Sequence, residues 1–163
     1  MPTAEFYAPS RLEEVSARFA AARMQDDVIA VVRATARQAL GADGVTFVLR
    51  DGDFCHYIEE DAIGPLWKGK KFPIAACISG WAMLNNQTAA ISDIYVDKRI
   101  PHDAYRSTFV RSLIMVPVRV ESPIGAIGAY WRTRRTFKPE DIKAVEMMAE
   151  FAGNALRRVR DHK

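Results

Sequence analysis

Cys55 and His56 stand side by side in DFCH, and Cys77 opens the segment CISGW. A cysteine next to an imidazole can act as a nucleophile with its base, as a pair of metal ligands or as a tetrapyrrole anchor, and each role needs the side chains to converge. A second concentration of chemistry runs through ACISGWAMLNNQTAAISDIYVDKRIP, Ala76 to Pro101, and on to Tyr105. There Trp81 and Tyr95 offer faces for stacking, while Asp93 and Arg99 offer a carboxylate and a guanidinium to fix a polar group. The candidate ligand-lining residues are therefore Cys77, Trp81, Asp93, Tyr95, Arg99 and Tyr105. A purely structural alternative stands beside this set: Trp81 as a core indole, Asp93 as the cap of a turn, and Arg99 as the partner of Asp97 or Asp93. GxSxG, P-loop, HExxH and dinucleotide patterns are absent from the sequence, and His56, His102 and His162 lack a metal-ligand spacing. No catalytic residue and no metal site is assigned on these grounds.

Whether any of these residues converge depends on the elements that carry them. GVTFVLRDGDFCHYIEE reads as a hairpin, because Asp51-Gly52 can adopt the positive φ angles of a two-residue turn between arms rich in β-formers. With that turn Leu49 faces Phe54 and Val48 faces Cys55. One face then carries Val45, Phe47, Leu49, Phe54, His56 and Ile58, and the other Thr46, Val48, Cys55 and Tyr57. Adjacent Cys55 and His56 point to opposite faces, which argues against a catalytic or metal-binding pair. Cys55 is expected as a small half-buried hydrophobe and His56 at the rim of an apolar face.

Two helices precede this hairpin. Ser10 and Glu13 form a capping-box pattern before the stripe Leu12, Val15, Phe19 and Ala22, and Asp26 and Asp27 suit the start of a second helix that Gly41 stops. After the hairpin, Gly64, Pro65, Gly69 and Pro73 break the chain into loops from which Trp67 folds back as an anchor. CISGWAMLNN reads as a short helix ending at Asn85 and Asn86, TAAISD as a short strand, and His102 to Arg106 as a helical turn. RSLIMVPVRV and IGAIGAYWR form a second hairpin in which Pro117 requires an edge or a bulge, and a long helix begins near Pro139.

Composition bounds the rest. A chain of 163 residues with 49% hydrophobic and 26% charged residues is about one domain long and can build its own core. It has no apolar run of membrane-spanning length and no signal-peptide segment in MPTAEFYAPSR, and its two cysteines, without CxxC spacing, fit a reducing compartment. The expectation is a cytoplasmic protein. Net charge is only +3, and the one basic cluster, KGKK at Lys68 to Lys71, lacks the aromatic platform that nucleic acid requires, so neither nucleic acid nor membrane is expected as a partner.

Paired strands joined by tight turns favour an α+β fold around an antiparallel sheet. From Asp26 to Val159 the sequence resembles a GAF domain. The resemblance is carried by ISGWAMLNNQTAAISDIYVDKRI, RSLIMVPVRVESPIGAIGAYW and TFKPEDIKAVEMMAEFAGNAL, and the CISGW and RIPHDAY versions are most similar to GAF modules of bacterial sensor histidine kinases. It implies a central antiparallel sheet of five to six strands, with the N- and C-terminal helices on one face and a small-molecule cavity on the other. Residues 1–25 would be a linker and dimerisation helix, 26–160 the domain, and 139–160 an output helix. The resemblance names no cofactor. Free methionine sulfoxide reductases share the fold but use several cysteines, in a setting that Cys77 alone does not reproduce. DFCH lies in a strand, unlike the cysteine-histidine attachment of bilin-binding relatives, and a cyclic-nucleotide signature cannot be assembled. Cys77 stands where many relatives have glycine.

The terminal helix carries two stripes. Ile142, Val145, Ala149, Ala152, Leu156 and Val159 form one, and Ala144, Met148, Phe151 and Ala155 the other. One stripe can cover the sheet while the other meets a second helix, which makes Leu12, Val15, Phe19, Met148, Phe151 and Leu156 candidates for a homodimer interface. The leading reading is a non-catalytic sensory module that binds a small molecule or senses a cytoplasmic signal and transmits it through a helical dimer interface to a signalling output such as a histidine kinase. The alternatives are a thiol redox enzyme using Cys77 and a structural dimerisation module without ligand.

Overall fold

The computed structural model describes residues 9–162, with side chains from Arg11 onward. Helices α1 (Pro9–Ala20) and α2 (Gln25–Leu40) lead into β1 (Gly44–Asp51), β2 (Phe54–Ala62) and β3 (Lys71–Pro73). A 3-10 turn, α3 (Ile78–Asn85), β4 (Ala89–Ile91), a second 3-10 turn and α4 (His102–Tyr105) follow. β5 (Ser112–Arg119), β6 (Pro123–Trp131) and α5 (Pro139–Asp161) complete the chain. The six strands form one antiparallel sheet in the order β3-β2-β1-β6-β5-β4. This is the α+β architecture expected from the two hairpins.

Local signals account for the helix ends. The Asp27 carboxylate accepts the backbone N–H groups of Arg23 at 2.8 Å and Met24 at 3.1 Å, which satisfies donors that the first turn of α2 leaves free. Gly41, with φ of 61°, then turns the chain out of α2. At α5, Asp141 accepts the N–H of Lys138 at 2.9 Å, and Pro139 occupies the first turn where its missing N–H costs nothing. Helix α1 already includes Pro9, upstream of the serine expected to cap it; the side chain of Ser10 and residues 1–8 lie outside the described residues.

The first hairpin differs from the expected register. Gly52 and Asp53 form the turn, so Leu49 faces His56 and Val48 faces Tyr57. A displacement of two residues preserves the faces, because side chains alternate with a period of two. Val45 and Phe47 therefore enter the helix-side core, while Val48, Cys55 and Tyr57 enter the opposite one. Phe54, expected on the helix side, sits at the turn and is 46% exposed. A bulge between Phe47 and Val48 inserts Ile58 as an extra residue and brings Glu60 opposite Thr46. Pro117 pairs with Ala126 of β6, and β4 reaches only as far as Met115, so β5 is locally an edge at the proline.

Helices α1, α2 and α5 pack together on one face of the sheet. Val15, Phe19, Met148 and Leu156 are buried in that core within a single chain, with the Phe19 and Phe151 rings 6.4 Å apart. The second stripe of α5 thus meets its partner helices inside the chain. Leu12 is also buried and Phe151 is half-buried, and both line an open groove of about 490 Å³ between α1 and α5. Arg158 joins the helix ends: its guanidinium donates to the carbonyls of Phe19 at 2.8 Å, at the end of α1, and of Ala22 at 3.0 Å, just beyond it.

Candidate functional site

The opposite face of the sheet is covered by α3, α4 and the segments between them, which form a roof over a second apolar core. Close approach explains the small residues of CISGW. A Cβ on Gly80 would stand 1.7 Å from the carbonyl oxygen of Ile74, so a side chain at this position would push α3 off the preceding turn.

Beneath the roof lies an aromatic cluster. Trp67 packs against Tyr105 with centroids 4.7 Å apart, and against Tyr57 and Tyr130 at 5.5 Å each; Phe72 meets Tyr57 at 5.5 Å. Edge and tilted contacts of this kind favour aromatic pairs beyond simple area burial. The anchoring role expected of Trp67 has a specific cause. Glu60, placed on this face by the bulge, accepts the N–H groups of Leu66, Trp67 and Lys68 at 2.8–2.9 Å and folds their loop inward. Trp67 Nε1 then donates to the Ala104 carbonyl at 3.0 Å, tying the loop to α4.

The polar atoms of this core are paired. The hydroxyls of Tyr130 and Thr46 lie 2.8 Å apart, those of Tyr57 and Ser79 2.9 Å apart, and Ser79 Oγ is 3.3 Å from Cys77 Sγ. Burial pushes the hydroxyls of Tyr57, Tyr105 and Tyr130 above the usual phenol range, so they stay protonated. The thiols of Cys77 and Cys55 share this core, and each is the other's strongest electrostatic neighbour. Cys55, the Ser79 hydroxyl and the backbone amides at the start of α3 lower Cys77, whereas Cys77 and burial raise Cys55.

The six candidate ligand residues divide into three places. Cys77 and Tyr105 are in the buried cluster. Trp81 and Arg99 meet at its rim, with the guanidinium carbon 4.4 Å from the indole centroid, and both nitrogen contacts of Arg99 go to Asp97, at 3.0 and 2.7 Å. Asp93 and Tyr95 lie farther out. Asp93 accepts the Tyr95 N–H at 3.1 Å and takes two bonds from Arg111, which also lies over the Tyr95 ring. Tyr95 is 40% exposed and Val96 is 79% exposed. Asp93 therefore caps a turn, and Arg99 pairs with Asp97, as the structural alternative has it.

Cys55 and His56 do not converge: Cys55 is buried under the roof, while His56 is half-buried opposite Leu49 on the helix side. Tyr57, Ser79, Glu60 and Tyr130 also build this core and fall outside the set read from the sequence. Tyr57 was legible by its face in the hairpin, but its meeting with Ser79 and Trp67 spans three separate segments. Among the described residues, no group of three or more His, Cys, Asp or Glu side chains could hold a metal ion, and no helix is long and apolar enough to cross a membrane.

A six-stranded antiparallel sheet with helices α1, α2 and α5 on one face and a roofed aromatic core on the other is an α+β fold shared with known GAF domains. The profile of the GAF domain family matches residues 26–156, and the chain belongs to that family. No curated protein matches the sequence. Among solved structures, the chain is similar to the GAF domain of a phosphoenolpyruvate-protein phosphotransferase from Coxiella burnetii (TM-score 0.82, 13% identity, 94% of each chain covered). It is also similar to a protein described as a GAF sensor from Burkholderia vietnamiensis (TM-score 0.80, 19% identity, 97% of this chain and 98% of that one). A third similar structure is the free methionine-R-sulfoxide reductase of Neisseria meningitidis in complex with its substrate (TM-score 0.80, 19% identity, 93% of this chain and 89% of that one). At these identities the likeness is one of fold.

Proposed function

We propose that this GAF domain is a non-catalytic sensory module that takes up a small molecule beneath α3 and passes the signal through α1 and α5 to a downstream domain, a histidine kinase. The observation that carries this reading is the two-sided sheet. Val48 and Phe47 are neighbours in β1, one in the roof core and the other in the helix core, and β5 alternates in the same way through Met115 and Val116. A change in packing under the roof acts on strands that α5 covers from the other side. The segment 1–25, which contains α1, serves as the linker and dimerisation segment, 26–160 as the sensory body and 139–160 as the output helix, in a homodimer within a reducing cytoplasm.

A ligand enters this site by parting Arg99 from Trp81, which exposes an indole face at the rim of the buried aromatic cluster. The ligand class that fits is planar and partly apolar, with a group that Arg99 or Asp97 can hold. The test is thermal stabilisation by a panel of metabolites, nucleotides and heme. Wild type should gain stability from a binding compound, and Trp81→Ala or Arg99→Ala should lose that gain out of proportion to any change in unliganded stability. Equal losses with and without the compound would leave these side chains a structural role only. Thiol-dependent turnover of free methionine sulfoxide that Cys77→Ser abolishes would overturn the non-catalytic reading.

A further inference from the structure

The chain's two cysteines are distant in sequence and adjacent in space. Cys55 lies on the roof face of β2, opposite Phe72 of β3, and the next pair of that ladder joins Phe54 to Pro73. The carbonyl of Pro73 is 3.6 Å from Cys77 Sγ, so the β2–β3 pairing itself holds the start of α3 beside β2. Both cysteines are free, lie in the same roof core and are each other's strongest electrostatic neighbour. With both side chains on the roof face and α3 held against β2, an S–S bond of about 2 Å needs the two side chains only to turn toward each other.

We infer that Cys55 and Cys77 form a peroxide-responsive dithiol that closes to an intramolecular disulfide and so gives the roof a redox input separate from ligand binding. The two sulfurs are unequal. Cys77 keeps 6% of its surface in solvent and sits at the first turn of α3, whose amides at Ser79 and Gly80 favour a thiolate; Cys55 has no exposed surface. Cys77 is thus the attacking sulfur. Its thiolate displaces one oxygen of a hydroperoxide, forming an S–O bond as the O–O bond breaks, and the departing oxygen leaves as water or an alcohol after taking a proton. Cys55 then loses its proton and attacks the Cys77 sulfenic sulfur; the S–S bond forms as the S–O bond breaks, and hydroxide leaves with that proton as water. Together the two thiols lose two protons and two electrons, and one hydroperoxide is reduced by two electrons. The new bond ties α3 to β2 and removes the Cys77 thiol from the chain of hydroxyls through Ser79 and Tyr57.

The test exposes reduced protein to hydrogen peroxide, blocks remaining thiols with an alkylating agent under denaturing conditions, and reads intact mass and linked peptides. Wild type should lose both alkylatable thiols together and two hydrogens in mass, with Cys55 linked to Cys77 in the monomer and full reversal by dithiothreitol. Cys55→Ser and, to avoid a buried hydroxyl, Cys55→Ala should instead give a sulfenic acid at Cys77 that dimedone traps. Cys77→Ser should leave Cys55 alkylatable. Two free thiols in wild type after the exposure that oxidises Cys77 in Cys55→Ala would overturn the inference, as would a disulfide only between chains. Oxidation of Cys55 at the wild-type rate in Cys77→Ser would overturn the assigned order of attack.

Discussion

The guanidinium of Arg99 lies 4.4 Å from the centre of the Trp81 indole while Asp97 holds it from the other side. One cation thereby closes the rim of the roof with two favourable contacts, neither of which needs a ligand. A double-mutant cycle of Trp81→Ala and Arg99→Ala, read by urea unfolding, should show a coupling of about 0.5–1 kcal/mol, the range for a cation–π pair that solvent still reaches. Additive effects would mean that the stacking contributes nothing to stability.

The Asp97 carboxyl is held below its ordinary range, first by its hydrogen bonds from the Arg99 side chain, with burial opposing. A carboxylate whose folded pKa is depressed stabilises the fold fully above its unfolded pKa of about 3.9 and loses that contribution as pH falls through the folded value. The melting-temperature difference between wild type and Asp97→Asn should therefore be constant near neutrality and shrink on acidification below about pH 4. The corresponding difference in stability should not exceed about 1 kcal/mol, because solvent screens a pair this close to the surface. A difference that persists into strong acid would assign it to something other than the ion pair.

Glu60 gathers three backbone N–H groups, and Trp67 depends on them for its position. Glu60→Ala should destabilise the domain by about 2 kcal/mol through the loss of charge-assisted hydrogen bonds. It should also shift Trp67 fluorescence to the red as the loop opens, whereas Glu60→Gln, which keeps one carbonyl acceptor, should fall between. Tryptophan substitutions at Trp81 and Trp131 isolate the Trp67 signal. Unchanged emission in Glu60→Ala would show that the aromatic contacts alone hold the loop.

Phe19 and Met147 separate the inner from the outer surface of the helix layer. Phe19→Glu places a charge in the core of a single chain and should unfold it, at a cost of at least several kcal/mol, visible in circular dichroism. Met147 is half-buried on the groove between α1 and α5, so Met147→Glu should stay folded. If two copies meet across that groove, sedimentation should find this variant monomeric where wild type is dimeric. A dimer that survives in Met147→Glu places the contact on another surface.

Element order was legible in the sequence because its determinants are local. Asp27 and Asp141 cap the turns they begin, Gly41 and Asn86 take left-handed φ where helices stop, and Pro139 marks a first turn from its own chemistry. The alternation that sends Cys55 and His56 to opposite faces is likewise a property of any strand. Because that period is two, the faces survived a hairpin register displaced by two residues; the displacement and the bulge at Phe47 and Val48 were settled by packing against both cores. Only the tertiary structure decided which side chains meet. It covered Phe19 and Met148 with helices of the same chain, where an apolar stripe says only that something must cover it. It gave Arg99 to Asp97 and Asp93 to Arg111, a choice that spacing leaves open between several nearby charges. It also brought Cys55 to Cys77 and Trp67 to Tyr105 and Tyr130, contacts that depend on the antiparallel order of the strands and on loop closure across many residues, which no local pattern encodes.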